Sequence, residues 1–68
     1  MTYQQFKIIR KFYLKTQQEM ADLLGVSRQF ISYVERGERA MSKEFVAKVD
    51  DRLDLTPEKK ALIYKIFD

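Results

Sequence analysis

TQQEMADLLGVSRQFISYVERG, residues 16–37, reads as two short helices broken at Gly25. Thr16 followed by Glu19 is a capping box, in which the hydroxyl and the carboxylate each satisfy a backbone N–H that a helix start leaves open. Met20, Ala21, Leu23 and Leu24 supply the apolar positions of this helix. Gly25 stands where the chain must leave it, and glycine takes the positive φ of such an exit at little cost. Ser27 caps a second helix. That helix carries Ile31 and Val34 on one face and Arg28, Gln29, Ser32, Tyr33 and Arg36 on the others, and Gly37 ends it. A tight turn between two short helices is the helix-turn-helix unit.

The rest of the chain reads as helix on either side of this unit. Thr2 and Gln5 form a second capping box, and Phe6, Ile9 and Tyr13 recur at helical spacing, which predicts helix one from Thr2 to about Tyr13. Ile8 and Phe12 make a neighbouring stripe. Lys7, Arg10, Lys11 and Lys15 fill much of the remainder, either as a solvated face or as phosphate contacts. After Gly37, residues 38–41 are a loop. Ser42 then caps helix four, with Glu44 in the first turn where a negative charge suits the helix dipole. Phe45, Val46, Val49 and Leu53 should close the core over helices one to three. Thr56 and Pro57 are an N-cap and a first-turn proline, and they announce helix five, residues 56–68. The expectation is all-α: one domain over residues 1–68, five helices packed compactly.

A chain of 68 residues buries only about 60% of its unfolded surface, so its core is marginal and a partner subunit is a natural supplement. Without cysteine or histidine it has no disulfide staple, no thiolate or imidazole metal ligand and no imidazole for acid–base work. The sequence calls for no cofactor. No apolar run approaches the roughly 20 residues that cross a membrane, and MTYQQFKIIR lacks the apolar stretch of a signal peptide, so a cytoplasmic location is expected. The net charge of +3 is uneven. Residues 1–43 hold eight Lys/Arg against four Asp/Glu, and residues 44–68 hold five against six. The positive half contains residues 16–37, which favours a polyanionic partner there.

The pattern Thr-Gln-x-Glu-Met-Ala-x-x-Leu-Gly-Val-Ser-x-x-x-Ile-Ser-x-x-Glu-x-Gly resembles the DNA-binding domain of phage repressors and Cro proteins, and of the bacterial XRE-type regulators similar to them. Ala21 matches the small residue at the helix crossing, Gly25 the turn, and Ile31 and Val34 the inward positions. The resemblance covers roughly residues 5 to 55 and implies a five-helix, lambda-repressor-like fold. It also implies that Arg10 pairs with Glu35, tying helix one to the end of helix three. Leu14 and Lys15 depart from the family, which commonly has a glycine and an apolar residue there, and Ala40 and Met41 stand where it often has a proline.

By position, the resemblance lays helix three in the major groove while helix two crosses the backbone of double-stranded DNA; phage repressors are the standard example of this docking. Gln17 and Gln18, at the start of helix two, would donate to phosphate. Arg28, Gln29, Ser32 and Tyr33 would face the bases: Gln29 can address adenine N6 and N7, and Arg28 guanine O6 and N7 or a phosphate. Tyr33 can meet a thymine methyl or a phosphate. Arg36, Arg39 and Lys43 are further phosphate anchors, and Phe30 is expected to fill the gap between helices two and three.

Enzymatic chemistry is not expected. Asp50 and Asp51 are adjacent carboxylates, but adjacent helix positions diverge by about 100°, and they read as a solvated face. The functional expectation is a sequence-specific transcriptional regulator that binds a pseudo-palindromic operator as a homodimer. An alternative is a small modulator or antitoxin whose ligand is a protein, a repressor or a toxin. Helix five bears on both, because Ala61, Leu62, Ile63, Tyr64, Ile66 and Phe67 are broader than one core-facing stripe. Phe67 and part of Tyr64 or Ile63 should remain in water in a monomer, and such a patch usually finds a partner.

Overall fold

A computed structural model describes residues 1–67. The chain forms five helices: α1 (Tyr3–Phe12), α2 (Gln17–Leu24), α3 (Arg28–Glu35), α4 (Lys43–Arg52) and α5 (Pro57–Ile66). No strand occurs among the described residues. The sequence reading of helix five extends to Asp68, which lies outside them.

Every helix starts where a hydroxyl side chain can accept a hydrogen bond from the third residue of the helix. Thr2, Thr16, Ser27, Ser42 and Thr56 are the five N-caps. The two expected capping boxes are complete: the Thr2 N–H donates to Gln5 Oε1 at 2.9 Å and the Thr16 N–H to Glu19 Oε1 at 2.8 Å. The Thr16 backbone and side-chain hydrogen bonds hold the Glu19 carboxyl below its ordinary range.

α1 to α4 each leave through a left-handed residue, though not through one residue type. α2 leaves through Gly25 at φ 69°, and α3 through Gly37 at φ 74°. The α3 exit is a Schellman motif: the Gly37 N–H returns to Val34 O at 3.0 Å and the Glu38 N–H to Tyr33 O at 2.9 Å. α1 and α4 end with the same pair of bonds, but the left-handed residues are Leu14 (φ 56°) and Asp54 (φ 52°). Leu14 stands where the resembled family commonly has glycine, and the backbone keeps the glycine-like turn without the glycine. Its side chain is 90% exposed, so no packing compensates the strain. The following carbonyl does: Lys15 O accepts from Arg10 Nη1 at 2.8 Å.

The core collects Phe6 and Ile9 from α1, Met20, Ala21 and Leu24 from α2, Ile31 and Val34 from α3, Phe45 and Val49 from α4, then Leu55 and Ile63. α2 packs on α3, α1 on α3 and α5, and α2 on α4. Phe30 takes the packing position, half-buried with its ring edge-on to Phe45 at 5.3 Å, and Phe45 in turn meets Phe6 at 5.8 Å. Leu53 and Val46 are only half-buried, whereas Leu55, in the turn before α5, belongs to the core. Asp50 also departs from expectation. It is half-buried rather than a solvated carboxylate, because Lys60 Nζ donates to its Oδ2 at 2.8 Å and ties α5 to α4; Asp51 is exposed.

α5 turns Ile63 fully inward and Tyr64 partly so. Burial raises the Tyr64 hydroxyl above its ordinary value. The outward residues are Leu62 (61% exposed), Ile66 (60%) and Phe67 (47%). Of the surface expected in water, Phe67 is exposed and, of Tyr64 or Ile63, it is Tyr64 that stays partly so; Leu62 and Ile66 add to it. Phe67 lies edge-on to Phe12, itself 39% exposed, at 6.3 Å. No helix among the described residues is long and apolar enough to cross a membrane.

Candidate DNA interface

Helix α3 has two sides with separate chemistry. At about 100° per residue, Arg28, Ser32, Arg36, Gln29 and Tyr33 fall within an arc of roughly 140°. Val34 and Ile31 occupy the opposite side, Glu35 lies at the edge of the arc beside Arg28, and all three are buried. Along the outward arc Ser32 is half-buried, and Arg28, Gln29, Tyr33 and Arg36 are exposed. The face expected to meet DNA bases is therefore a continuous polar strip on a helix whose back is locked into the core.

The lock is Glu35. Its side chain is 3% exposed and accepts from Arg10 Nε at 2.6 Å, Arg10 Nη2 at 2.8 Å and Gln17 Nε2 at 3.3 Å. The Arg10 side chain is 12% exposed, and its guanidinium is raised above its already high ordinary value by this bidentate hydrogen bond. One carboxylate thus joins α1, the start of α2 and the end of α3. The pair implied by the resemblance is present, and of the four basic residues in and just after α1, Arg10 serves the fold. Lys7 and Lys11 are exposed and Lys15 is half-buried.

Gln17, expected to donate to phosphate, directs one amide N–H to Glu35, and its second remains outside that bond. Gln18 Nε2 donates to Asp22 Oδ1 at 2.9 Å along the exposed side of α2. Both glutamines stand in the first turn of α2, where backbone N–H groups and the helix dipole favour an anion.

The strip itself is cross-linked. Gln29 Nε2 donates to Tyr33 Oη at 3.0 Å, one helical turn on. The Arg36 guanidinium lies over the Tyr33 ring at 5.1 Å and pairs with Glu38 at 3.2 Å. Arg39 lies over the Phe30 ring at 5.3 Å, which fixes an exposed cation to the aromatic chain that enters the core. Lys43 is exposed at the first position of α4. Sequence reasoning missed Glu38, which reaches Arg36 only because the Gly37 turn folds the loop back; no periodicity announces such a pair. Arg28 and Ser32 have no hydrogen-bonding side-chain partner among the described contacts.

No curated protein and no solved structure matches this chain. A helix-turn-helix family model does, over residues 7–60, which takes in α2, the Gly25 turn, α3 and the Arg10 and Glu35 that hold them together. With the match covering most of the chain and the geometry agreeing with it, the chain belongs to the helix-turn-helix family of DNA-binding regulators similar to phage repressors and Cro proteins.

Proposed function

We propose that this protein is a Cro- or repressor-like transcriptional regulator that reads a pseudo-palindromic operator as a homodimer. The observation that carries the reading is the α3 strip: four exposed polar side chains, Arg28, Gln29, Tyr33 and Arg36, on a helix held from behind by Glu35. In this docking Arg28 and Gln29 meet base edges, Ser32 and Tyr33 flank them, and Gln17, Gln18, Arg36, Arg39 and Lys43 anchor phosphates. The dimer is supported by α5, whose Leu62 and Ile66 lie one turn apart on its outward side. It is also supported by size. Half-sites one helical turn apart need recognition helices about 34 Å apart, so each protomer must span about 17 Å from the twofold axis to α3. The fold measures 28 × 22 × 21 Å and can do so.

The test is selection of binding sites from random double-stranded DNA, followed by footprinting and sedimentation. The expected result is a two-part site with inverted half-sites, protected by two chains. Ile66→Asp should then sediment as a monomer with its helical signal intact and lose operator affinity, because two linked half-sites become independent. Protection of one short asymmetric site by one chain would overturn the dimer. Failure to select any sequence would favour the modulator or antitoxin reading, in which the exposed side of α5 meets a different protein.

A further inference from the structure

We infer that Tyr33 is a specificity-determining positioning residue, whose hydroxyl sets the orientation in which Gln29 presents its amide to a base. The inference rests on the proposed docking of α3 and goes beyond it by assigning the two residues one joint role.

A glutamine at the start of a recognition helix has three side-chain torsions and an amide that can turn either way. Left free, it can offer an acceptor or a donor to almost any base edge. Here it is not free. Its Nε2 donates to Tyr33 Oη at 3.0 Å, at the i to i+4 spacing that puts two helical side chains side by side. An amide nitrogen has two N–H groups, and this bond uses one. The second N–H and the carbonyl Oε1 remain, and they are one donor beside one acceptor, which is the pair that adenine N7 and N6–H require. Turned over, the amide would accept the phenolic proton on Oε1 and leave two donors outward, a pattern that suits the acceptors of guanine; a phosphate that takes that proton leaves the hydroxyl only able to accept, which selects the first orientation.

Tyr33 can play this part because it is itself held. The Arg36 guanidinium covers its ring at 5.1 Å, and Arg36 also pairs with Glu38 at 3.2 Å. The chain Glu38, Arg36, Tyr33, Gln29 runs back along the outward strip of α3, from the loop after Gly37 toward the first turn. Preorganisation of this kind reduces the ordering cost on binding and favours one base over another. The phenolic proton, not needed by Gln29, stays available for a neighbouring phosphate or base acceptor.

The experiment compares wild type, Tyr33→Phe, Gln29→Ala and the double variant by selection from a double-stranded pool of roughly 30 random base pairs, wide enough for two half-sites. Affinities are then measured on the selected operator and on its single-base variants. Tyr33→Phe keeps the ring and its Arg36 cover and removes only the hydroxyl. It should reduce the adenine preference at the position read by Gln29 about tenfold and leave the other positions ranked as before. Added to Gln29→Ala, it should change nothing further at that position. In the free protein, the Gln29 side-chain amide resonances should move in Tyr33→Phe while the melting temperature stays unchanged.

A Tyr33→Phe preference profile identical to wild type would overturn the inference while leaving the DNA reading intact. So would an equal loss of affinity on all sequences, which would make Tyr33 a phosphate contact. A wild type that selects no sequence would overturn the DNA reading itself, and this inference with it.

Discussion

Replacing Glu35 by alanine removes the single carboxylate on which α1, α2 and α3 converge. The side chain is 3% exposed, and its loss strands the guanidinium of an Arg10 side chain that is 12% exposed, together with one amide N–H of Gln17. Removing one partner of a buried ion pair costs about 3–5 kcal/mol, because the remaining charge is desolvated without compensation. A domain of 68 residues has roughly 3–10 kcal/mol of stability in all, at about 0.05–0.15 kcal/mol per residue. The variant should therefore stand at or near the edge of unfolding at room temperature. In urea titrations followed by circular dichroism, with a slope near the low end of the usual range of about 1–3 kcal/mol/M, the midpoint should fall by roughly 3 M.

The double variant Arg10→Met, Glu35→Leu separates the cause. It leaves no stranded charge, and it gives up the Arg10 bond to Lys15 O, worth about 1 kcal/mol. It should be more stable than Glu35→Ala alone, even though it changes more atoms. A loss under about 1 kcal/mol in the single variant, or a double variant worse than the single, would refute the argument that Glu35 neutralises a buried charge.

Three further outcomes follow from the turns and caps. Leu14→Gly should stabilise the fold by up to about 1 kcal/mol, since it relieves a left-handed residue that costs about 1–2 kcal/mol and adds back about 0.5–1 of chain entropy; the melting temperature should rise by a few degrees. Gly37→Ala should destabilise more than Gly25→Ala. Both sit at positive φ, but a β-carbon at Gly37 would come within 2.9 Å of the Tyr3 ring, whereas one at Gly25 would meet only Lys48 Nζ at 3.6 Å; equal losses in thermal melts would show that Tyr3 swings aside freely. Glu19, held below its ordinary range by Thr16, favours the folded state above the unfolded carboxyl's value, and this contribution disappears as pH falls through the lower folded value. Glu19→Gln should flatten the acid limb of a stability–pH curve below about pH 4.5, and an unchanged limb would place its origin in other carboxylates.

The starts of the helices were legible residue by residue, and their ends only where a glycine marks them. A hydroxyl followed by helix-forming residues acts locally, so Thr2, Thr16, Ser27, Ser42 and Thr56 announce α1 to α5 without help from the rest of the chain. Glycine exits are local too, and Gly25 and Gly37 are readable for the same reason. Leu14 and Asp54 make equivalent exits against their own preference or with only mild support from it. Those turns are imposed by the packing of the helices on either side and, at Leu14, by the Arg10 side chain. The division of α5 was legible only in part. Its apolar width showed that some residues must face outward, but the choice of Ile63 as the buried one depends on where α1 lies, and Asp50 could be read as half-buried only once Lys60 was known to reach it.

The outward face of α3 was legible as a set of residues but not as a connected structure, and the difference matters for function. Spacing alone places Arg28, Gln29, Ser32, Tyr33 and Arg36 on one side, and any of them could then be read as an independent reader of DNA. Distances make three of them dependent on one another, with Glu38 as the far support. The inward side of the same helix is dependent in a different way, through Glu35 to α1 and α2. In the proposed docking, a change at Glu35 therefore acts on the helix as a rigid body and should weaken binding to all sequences together. A change at Tyr33 acts inside the strip and should alter which base is preferred while the fold stands. The two sides meet at the C-terminal turn of α3, where Glu35 faces the core, Arg36 faces out, and the positive φ of Gly37 permits the turn that brings Glu38 back to Arg36.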